Sequence, residues 1–400
     1  MKAVILAAGE GSRMRPLTYT RPKVMLPIAN KPILEHLLIE AAAAGIGEYI
    51  FVVGYHDEAV LDYFGDGSQW QVHIDYVKQR RQMGTADALA MVADLVGGNF
   101  LMMNGDMIIG RRDIAEMAVK KVTTLATIEV KDIRGLGVVE VSKGRVVRIY
   151  EKEQSPPSNL ANAGLYLLTP EIFDAISRTG KSPRGEYELT ASLTLMMEAG
   201  RKIACHAISR WLDISYPWDL LTANEAMMAD LKARNSGEVE ANAVMKGAVV
   251  VGKNTVVRSG SYIVGPVIIG ENCDIGPNCY VRPFTAIGDH CHIGNAVEVK
   301  NCIIMKDSNL PHHNYAGDSV IGEGCNFGAG TKIANLRLDK KAVWVEGVNT
   351  GRRKLGAIIG DGVETGINAS INVGSTVGDH TFIGPGAVAS GSIAPESRIF

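Results

Sequence analysis

Along the stretch 1–220, hydrophobic positions fall into short segments with two alternating periods. Continuous apolar runs at 3–6, 49–53 and 100–103 predict buried strands, and helical spacing at 32–45 and 86–96 predicts helices between them. This order predicts a mostly parallel sheet with helices on both faces. Two later apolar runs flank a hairpin signal, so we expect a mixed sheet in a Rossmann-like α/β domain.

From about residue 244 the hydrophobic period changes to six. A large apolar residue precedes glycine at spacings that are multiples of six within three runs: Ile269, Ile275, Ile287 and Ile293; Ile321 and Phe327; Ile359, Val377 and Ile383. This hexapeptide pattern is typical of a β-helix. The phase slips at 293–321 and at 327–359, and we expect loops that carry chemistry to leave the solenoid there.

The change of period divides the chain into three predicted parts. We expect an α/β domain at 1–220, a helical linker at 221–243 and a β-helix at 244–400. Helical spacing at 217–234 supports the linker.

The charge balance and the cysteine pattern exclude several classes of protein. The 400 residues contain 41 Lys and Arg against 43 Asp and Glu, which argues against nucleic-acid binding through bulk charge. No apolar run approaches the roughly 20 residues that a membrane span requires, so we expect a cytoplasmic protein that binds no membrane. Five of the six cysteines lie after residue 270 without a CxxC pair, and we interpret them as small inward-facing residues rather than zinc ligands or disulfides.

A glycine-rich turn follows the first predicted strand, and basic residues follow the turn. Gly9 and Gly11 let backbone N–H groups approach phosphate oxygens, while Arg13 and Lys23 supply positive charge. Asp106 comes directly after a buried strand, and with Asp213 it offers two hard oxygen ligands that suit Mg²⁺. Each motif taken alone would equally fit a structural turn or a loop aspartate.

Together these motifs resemble the sugar-1-phosphate nucleotidylyltransferases over the stretch 1–220. The resemblance implies transfer of UMP or dTMP from UTP or dTTP to a sugar-1-phosphate, with catalysis by Arg13 and Lys23 and Mg²⁺ held by Asp106 and Asp213. It assigns nucleotide binding to Ala8, Gly9, Gly11, Gln79, Gly84 and Thr85. It assigns sugar-phosphate binding to Gly137, Glu151, Lys152 and Asn162.

Polar residues interrupt the repeat region, and His312 has the chemistry of a general base for an amine near neutral pH. Taken by itself, each of these polar residues would be a solvent-exposed residue at the edge of the solenoid. Residues 245–390 nevertheless resemble the acetyltransferase half of the bifunctional GlmU enzymes. The matching blocks are Arg282-Pro283, Glu298-Val299-Lys300, His312 with Tyr315, Gly317-Asp318, Asn326 to Thr331 and Asn335.

That resemblance implies a left-handed parallel β-helix that binds acetyl-CoA and assembles as a homotrimer. His312 would be the general base, and Asn335 would lie toward acetyl-CoA. The acceptor sugar phosphate would contact Arg282, Lys300, Tyr315, Asn326 and Lys354, although the long segment 336–350 departs from the bacterial pattern before Lys354. The whole chain resembles the archaeal bifunctional sugar-1-phosphate nucleotidylyltransferase/acetyltransferases.

Two other interpretations stay open at this point. A single-activity nucleotidylyltransferase could use the β-helix only for assembly or regulation. A nucleotide-sugar binding module without catalysis is disfavoured by the intact Arg13, Lys23, Asp106 and Asp213. The trio of Arg282, Lys300 and His312 favours the bifunctional enzyme, because a scaffold does not need it.

Overall fold

The computed structural model describes residues 1–133, 135–151 and 156–400. The chain forms two compact units. The first unit contains Met1–Glu10, Arg21–Met25 and Ile33–Asp213. The second unit contains Gly11–Thr20, Leu26–Pro32 and Ile214–Phe400, so part of the glycine-rich turn belongs to the same unit as the repeats.

Residues before 230 form the following elements. The strands are β1 (Lys2–Ala7), β2 (Pro27–Ile28), β3 (Lys31–Pro32), β4 (Glu48–Val53), β5 (His73–Lys78), β6 (Phe100–Asn104), β7 (Met107–Ile109), β8 (Thr124–Glu129), β9 (Gly137–Ser142), β10 (Arg145–Glu151), β11 (Leu160–Leu168), β12 (Ala204–Ala207) and β13 (Trp211–Asp213). The helices are α1 (Ile33–Ala43), α2 (Asp57–Phe64), α3 (Thr85–Ala90), α4 (Arg111–Ala118), α5 (Glu171–Ile176), α6 (Leu189–Glu198) and α7 (Asp219–Met228). No helix in this described part of the chain is long and apolar enough to cross a membrane.

The main sheet of the first unit has the strand order β5-β4-β1-β6-β11-β8-β12-β10-β9. Strand β1 is parallel to β4 and β6, whereas β11 is antiparallel to β6 and β8. The hairpin β9–β10 turns through Lys143 (φ 50°) and Gly144 (φ 72°), which is the left-handed backbone that a two-residue hairpin turn requires. The predicted mixed sheet and hairpin are therefore confirmed.

Helices cover both faces of this sheet because its strands alternate between two apolar cores. Ile5 of β1 packs in the same core as Leu34 and Leu37 of α1. The neighbouring residue Val4 packs in the opposite core with Leu89 and Leu193 of α3 and α6. A strand that is buried on both faces reads as a continuous apolar run, which explains the pattern in the sequence.

Each coil of the repeat region adds one strand to each of three parallel sheets. The first sheet contains Arg234–Asn235, Val249–Val251, Val267–Ile269, Thr285–Ile287, Ile303–Ile304, Val320–Ile321, Ala357–Ile359, Ser375–Val377 and Ser392–Ile393. The second contains Glu238–Val239, Val256–Val257, Asp274–Ile275, His292–Asn295, Asn309–His312, Asn326–Phe327, Glu364–Thr365, Phe382–Ile383 and Arg398–Ile399. The third contains Val244–Lys246, Tyr262–Val264, Tyr280–Val281, Glu298–Lys300, Tyr315–Gly317, Lys332–Ile333, Ser370–Ile371 and Val388–Ala389. These repeated parallel sheets fit the predicted parallel β-helix.

The repeats begin earlier than their sequence signature. Helix α7 ends at Met228, although the pattern predicts helix to 234. Arg234 and Asn235 instead pair in parallel with Val250 and Val251, because ladder hydrogen bonds to the next coil override the local helical preference. The predicted linker at 221–243 thus holds the rest of α7 and the first two strands of the repeats.

The interior of the coils confirms the interpretation of the repeat residues and cysteines. The residue before each repeat glycine is at most 1% exposed, and Cys273, Cys291 and Cys325 are buried free thiols beside them. Burial raises the pKa of Cys302 and Cys325 to about 12. These thiols are therefore core residues.

One of the two predicted interruptions is a real excursion, and the other is not. Between 333 and 357 the chain leaves the coil and forms a hairpin of Trp344–Val345 and Val348–Asn349. At 293–321 the expected loop is wrong, since His312 ends a regular strand. Ala286 pairs with Ile303, one position sooner than the preceding coil predicts, in which Ile268 pairs with Ala286. Val320 pairs with Ile303 after a second coil of 17 residues. One turn after Lys300 and one after Gly317 are thus each shortened by a single position, and together they shift the phase without a loop.

Candidate active sites

The carboxyl ends of three neighbouring strands meet at one edge of the α/β sheet. The amide of Gly105, after β6, donates to the oxygen of Leu6 at 2.9 Å, and the amide of Tyr55, after β4, donates to the oxygen of Ala8 at 3.1 Å. A Cβ added at Gly54 would lie 2.9 Å from that oxygen of Ala8. Because Gly54 has no side chain, the strand ends approach closely. Ala8 and Asp106 therefore lie along one edge of the sheet.

Lys23 and Asp106 form an ion pair at this edge. Lys23 lies in a short helical turn, Lys23–Met25, and its Nζ donates to Asp106 Oδ2 at 2.7 Å. The lysine side chain is 8% exposed, whereas the aspartate is 40% exposed. The structure thus brings together two predicted site residues that are 83 positions apart, and the Asp106 side chain is partly exposed to solvent.

Asp213 is placed next in register to Asp106 by a second strand pair. Strand β13 is antiparallel to β7, and Asp213 pairs with Met107, the residue after Asp106. Among the described residues no cluster of three or more His, Cys, Asp or Glu could hold a metal ion. Two carboxylates do fit Mg²⁺ when the phosphates of a substrate supply further oxygens, so the donor set suits the expected ion.

Gln79 is held in a fixed position at the end of β5. It is only 4% exposed, and its Nε2 donates to Asp87 Oδ2 at 2.7 Å and to the oxygen of Gly84 at 3.3 Å. An amide that is anchored in this way presents a fixed hydrogen-bonding edge. The role of Asp87 was not predicted, although it lies close in sequence.

Gly84 and Thr85 are tied to a segment that lies far away in the sequence. Gly84 has φ 110°, and a Cβ there would clash with the backbone oxygen of Tyr187, so only glycine fits. The Thr85 hydroxyl accepts a hydrogen bond from the amide of Leu189 at 2.9 Å. The predicted nucleotide-binding residues Gly84 and Thr85, at the start of α3, are therefore held against the segment of Tyr187 and Leu189.

Three of the predicted sugar-phosphate residues lie together on β9, β10 and β11. Glu151 pairs with Gly137, and a Cβ on that glycine would lie 3.2 Å from Glu151 Oε2 and 3.7 Å from Asn162 Cβ. Arg184, which sequence reasoning did not identify, lies with its Nη2 3.4 Å from Glu151 Oε1. Lys152 falls outside the described residues.

A buried tyrosine holds Asn162. Its Nδ2 donates to the Tyr166 hydroxyl at 2.6 Å, and its Oδ1 accepts from the amide of Gly164 at 3.2 Å. Burial raises the pKa of Tyr166 above its ordinary value, so this hydroxyl stays protonated. The pairing of β11 with β8 is irregular between Asn162 and Tyr166, and this β-bulge places both side chains for the contact.

Gly11 and Arg13 lie in the second unit, where Arg13 lines a cavity of about 410 Å³. Gly11 has φ 71° and precedes the helical turn Ser12–Met14. The Arg13 guanidinium lies 5.4 Å from the ring centre of Tyr216, which stacks on Trp218. The excursion hairpin contributes Glu346 to the lining, a contribution that the sequence did not suggest.

Lys300, Asn335 and Asp318 form a polar cluster at one corner of the coils. Lys300 Nζ lies 3.1 and 3.0 Å from the two carboxylate oxygens of Asp318, and Asn335 Nδ2 donates to Asp318 Oδ2 at 2.6 Å. The Asp318 side chain is only 3% exposed. Asp318 lies in one of the matched blocks, but sequence reasoning assigned it no role.

Arg282 and Tyr315 flank Glu298 on the third sheet. Tyr280, Glu298 and Tyr315 pair in successive coils, and Arg282 Nη1 donates to Glu298 Oε1 at 2.8 Å. Burial raises the pKa of Tyr315, and the carboxylates of Glu298 and Asp318 raise it further. The structure therefore groups Arg282, Tyr315 and the Lys300 cluster along one sheet and its corner.

His312 and Asn326 lie on the second sheet instead, and both are exposed. Within the described residues, no hydrogen bond or ion pair joins the His312 side chain to Arg282 or Lys300. Lys354 is exposed and lies at the end of the excursion, where it forms a single bridge with Leu336. The predicted base and Lys300 thus lie on different sheets of the β-helix.

Comparisons with known proteins agree with both halves. The family described as nucleotidyl transferase matches residues 2–230, and the GMPPB C-terminal domain matches residues 263–395. A solved structure of a Bacillus anthracis protein named as a glucose-1-phosphate thymidylyltransferase is 28% identical, with a TM-score of 0.53. It covers 58% of this chain and 97% of its own.

Relatives that align along the full length are named for two activities. The bifunctional protein GlmU of Methanococcus maripaludis strain C7 is 42% identical over 100% of this chain and 97% of its own. The bifunctional sugar-1-phosphate nucleotidylyltransferase/acetyltransferase of Sulfurisphaera tokodaii is 38% identical over 98% of this chain and 97% of its own. With the Lys23–Asp106 edge in one unit and the Lys300 cluster in the other, the chain belongs to the nucleotidyl transferase family and, within it, to the bifunctional GlmU-type enzymes.

Proposed function

We propose that this chain completes a nucleotide sugar of the UDP-N-acetylglucosamine type in two steps. Acetyl is transferred from acetyl-CoA to an amino-sugar-1-phosphate, and the sugar-1-phosphate then displaces pyrophosphate from UTP or dTTP. The observation that carries the proposal is that one chain retains two separate polar centres, Lys23 with Asp106 and Lys300 with Asp318. A purely structural β-helix has no need of the second.

In the nucleotidyl step, an oxygen of the sugar-1-phosphate attacks the α-phosphorus and the bond to pyrophosphate breaks. Arg13 and Lys23 would neutralise the phosphate charge that grows in the transition state. Asp106 and Asp213 would hold Mg²⁺, which screens and aligns the phosphates when bound. Gln79, Gly84 and Thr85 would read the base at the fixed edge described above.

The sugar end of the acceptor would lie against β9, β10 and β11. Glu151 would accept hydrogen bonds from the sugar hydroxyls, and Asn162 would also contact the sugar. The hydrogen bond from Asn162 to the Tyr166 hydroxyl supports that role. Lys152 would bind the phosphate.

In the acetyl step, the amine nitrogen attacks the thioester carbonyl, the carbon–sulfur bond breaks and CoA leaves. His312 would take the amine proton, Arg282 and Lys300 would bind the acceptor phosphate, and Asn335 would face acetyl-CoA. Tyr315, Asn326 and Lys354 would line the acceptor site.

We further propose a left-handed β-helix and a homotrimer. His312 makes no polar contact with Lys300 inside the described chain, and a site between subunits would bring such groups together. The third sheet also exposes Tyr262, Tyr280 and Val388, which are 36%, 38% and 66% exposed. Association would cover these side chains. We further propose that both reactions take place in the cytoplasm.

Two assays on one preparation test the proposal. Thiol release from acetyl-CoA is measured with glucosamine-1-phosphate, with galactosamine-1-phosphate and without sugar, and pyrophosphate release is measured with UTP and with dTTP. We expect sugar-dependent release in both assays. Pyrophosphate release without any sugar-dependent thiol release would instead establish the single-activity alternative.

A further inference from the structure

We infer that Asp318 is a positioning residue that fixes both substrate-binding sides of the acetyl-transfer site from a single carboxylate. The inference rests on the proposed function, which assigns Lys300 to the acceptor phosphate and Asn335 to acetyl-CoA. Both side chains donate to the same buried carboxylate. No other described side chain binds both of them.

Three consecutive coils place polar residues at the same corner, and this stacking creates the site. Asn301, Asp318 and Asn335 follow one another at equal separations along the chain, one in each coil. Asn301 and Asp318 both have φ 51°, a left-handed conformation that Asn and Asp tolerate. The backbone therefore explains why Asn or Asp stands at position 318, but it does not explain why a charge is needed there.

The hydrogen bonds around the carboxylate supply that second reason. Lys300 Nζ donates to both oxygens, Asn301 Nδ2 donates to Oδ1 at 3.0 Å, and Asn335 Nδ2 donates to Oδ2 at 2.6 Å. An ionised carboxylate offers about four acceptor positions and no donor, so it matches this set of donors. An amide at the same place would turn its own N–H₂ group toward at least one donor.

The hydrogen-bond network around Asp318 extends further and holds the excursion at 333–357 in place. Asn301 Nδ2 also donates to Glu225 Oε1 at 2.9 Å, and Arg352 Nη2 donates to the same oxygen at 2.6 Å. The amide of Gly356 donates to the backbone oxygen of Asp318 at 2.8 Å. Asn335 begins the excursion and Arg352 lies near its end, so the corner at Asp318 holds both ends in place.

The first test is Asp318→Asn, which keeps the size and the left-handed backbone preference but removes the charge. We expect the KM values for the amino-sugar phosphate and for acetyl-CoA each to rise about tenfold, since a hydrogen bond to a charged group is lost on each side. The kcat of acetyl transfer should stay within about threefold, because His312 is untouched. Pyrophosphate release from the same protein should be unchanged.

The matched control is Asp379→Asn. Asp379 is a buried carboxylate at another coil corner, 5% exposed, and it accepts the amide of Asp361 at 3.0 Å. The control repeats the chemical change away from Lys300 and Asn335. Equal KM values in the two variants would overturn the inference.

A second variant tests the positioning role of Asp318 even if Asp318→Asn does not fold. Asn335→Leu removes one donor from Asp318, so Lys300 should be drawn more fully onto the carboxylate. We expect the KM for the amino-sugar phosphate to rise about threefold, in addition to the KM for acetyl-CoA. A change confined to acetyl-CoA would show that the two sides are independent. If the unaltered enzyme releases no thiol with either amino sugar, the proposed function itself fails and the inference falls with it.

Discussion

The two units assemble their polar centres in different ways. In the α/β unit, Ala8 and Asp106 meet because the parallel strands β1 and β6 end at one edge of the sheet, and the antiparallel pair β7–β13 adds Asp213 beside Met107. In the repeat unit, Asn301, Asp318 and Asn335 meet because successive coils repeat the same corner. The first centre depends on sheet topology, and the second depends on the phase of the repeat.

The two units should also differ in how far the loss of a core side chain destabilises the surrounding structure. Phe327 is 1% exposed in the solenoid, and Phe51 is fully buried in the sheet, where it packs edge-to-face on Phe64 and Tyr76. Truncation of either residue to alanine should cost about 3–5 kcal/mol. The Phe327→Ala loss should stay local, because a coil contacts only its neighbours.

Hydrogen exchange of the two variants checks this prediction. Phe327→Ala should accelerate exchange in the coils around Leu310 and Thr365 and spare the early coils near Val250. Phe51→Ala should accelerate exchange across β1, β4 and β6 together. Uniform acceleration in both variants would remove the distinction between the units.

A smaller effect is expected from the loss of Lys23 at the edge of the α/β sheet. Lys23→Met removes the partner of Asp106, and pyrophosphate release should fall about 10²–10³-fold because transition-state charge is no longer stabilised. Thiol release should be unchanged. Lys2→Met, which removes a partly exposed lysine on β1, is the matched control. An equal loss in both variants would contradict the role of Lys23.

The smallest effect concerns alkaline pH and the cysteines of the solenoid. The pKa of Cys302 and Cys325 is raised to about 12, whereas unfolded thiols ionise near 8.5. Their raised pKa gives full stability below the unfolded value and loses it as pH rises toward 12. Each should lower the free energy of unfolding by about 1.4 kcal/mol per pH unit above pH 9.

Urea unfolding between pH 8 and 10.5 measures this slope. The double variant Cys302→Ala/Cys325→Ala should be less stable at pH 8 and should show a shallower decline. Ile304→Ala, a core truncation without a thiol, should lower stability and keep the slope of the unaltered protein. Parallel declines in all three proteins would show that these thiols do not set the alkaline limit.

The elements that the sequence predicted well are those encoded by local periodicity. The run around Ile5, the hairpin at Lys143 and the period of six from Ile269 each reflect a buried face, so short stretches suffice to identify them. The inward cysteines followed from the same period. The nucleotide and sugar residues came from the order of motifs and needed the resemblance.

The sequence could not supply contacts between residues at distant positions or at equivalent positions of successive coils. A phase slip does not show at which turns the chain is shorter, so a loop was expected at His312 rather than shortened turns after Lys300 and Gly317. Tyr187 against Gly84 and Arg184 against Glu151 depend on the folded sheet. Asp318 was visible as a motif, but its donors appear only when the coils stack.

The central claim is that one chain performs two separate reactions, and His312→Ala tests it most directly. Both assays are run on one preparation of the variant beside the unaltered enzyme. Thiol release with the amino-sugar phosphate should fall about 10²–10⁴-fold, as expected for loss of a general base, while pyrophosphate release should be unchanged. Unchanged thiol release, or an equal fall in both activities, would contradict the account.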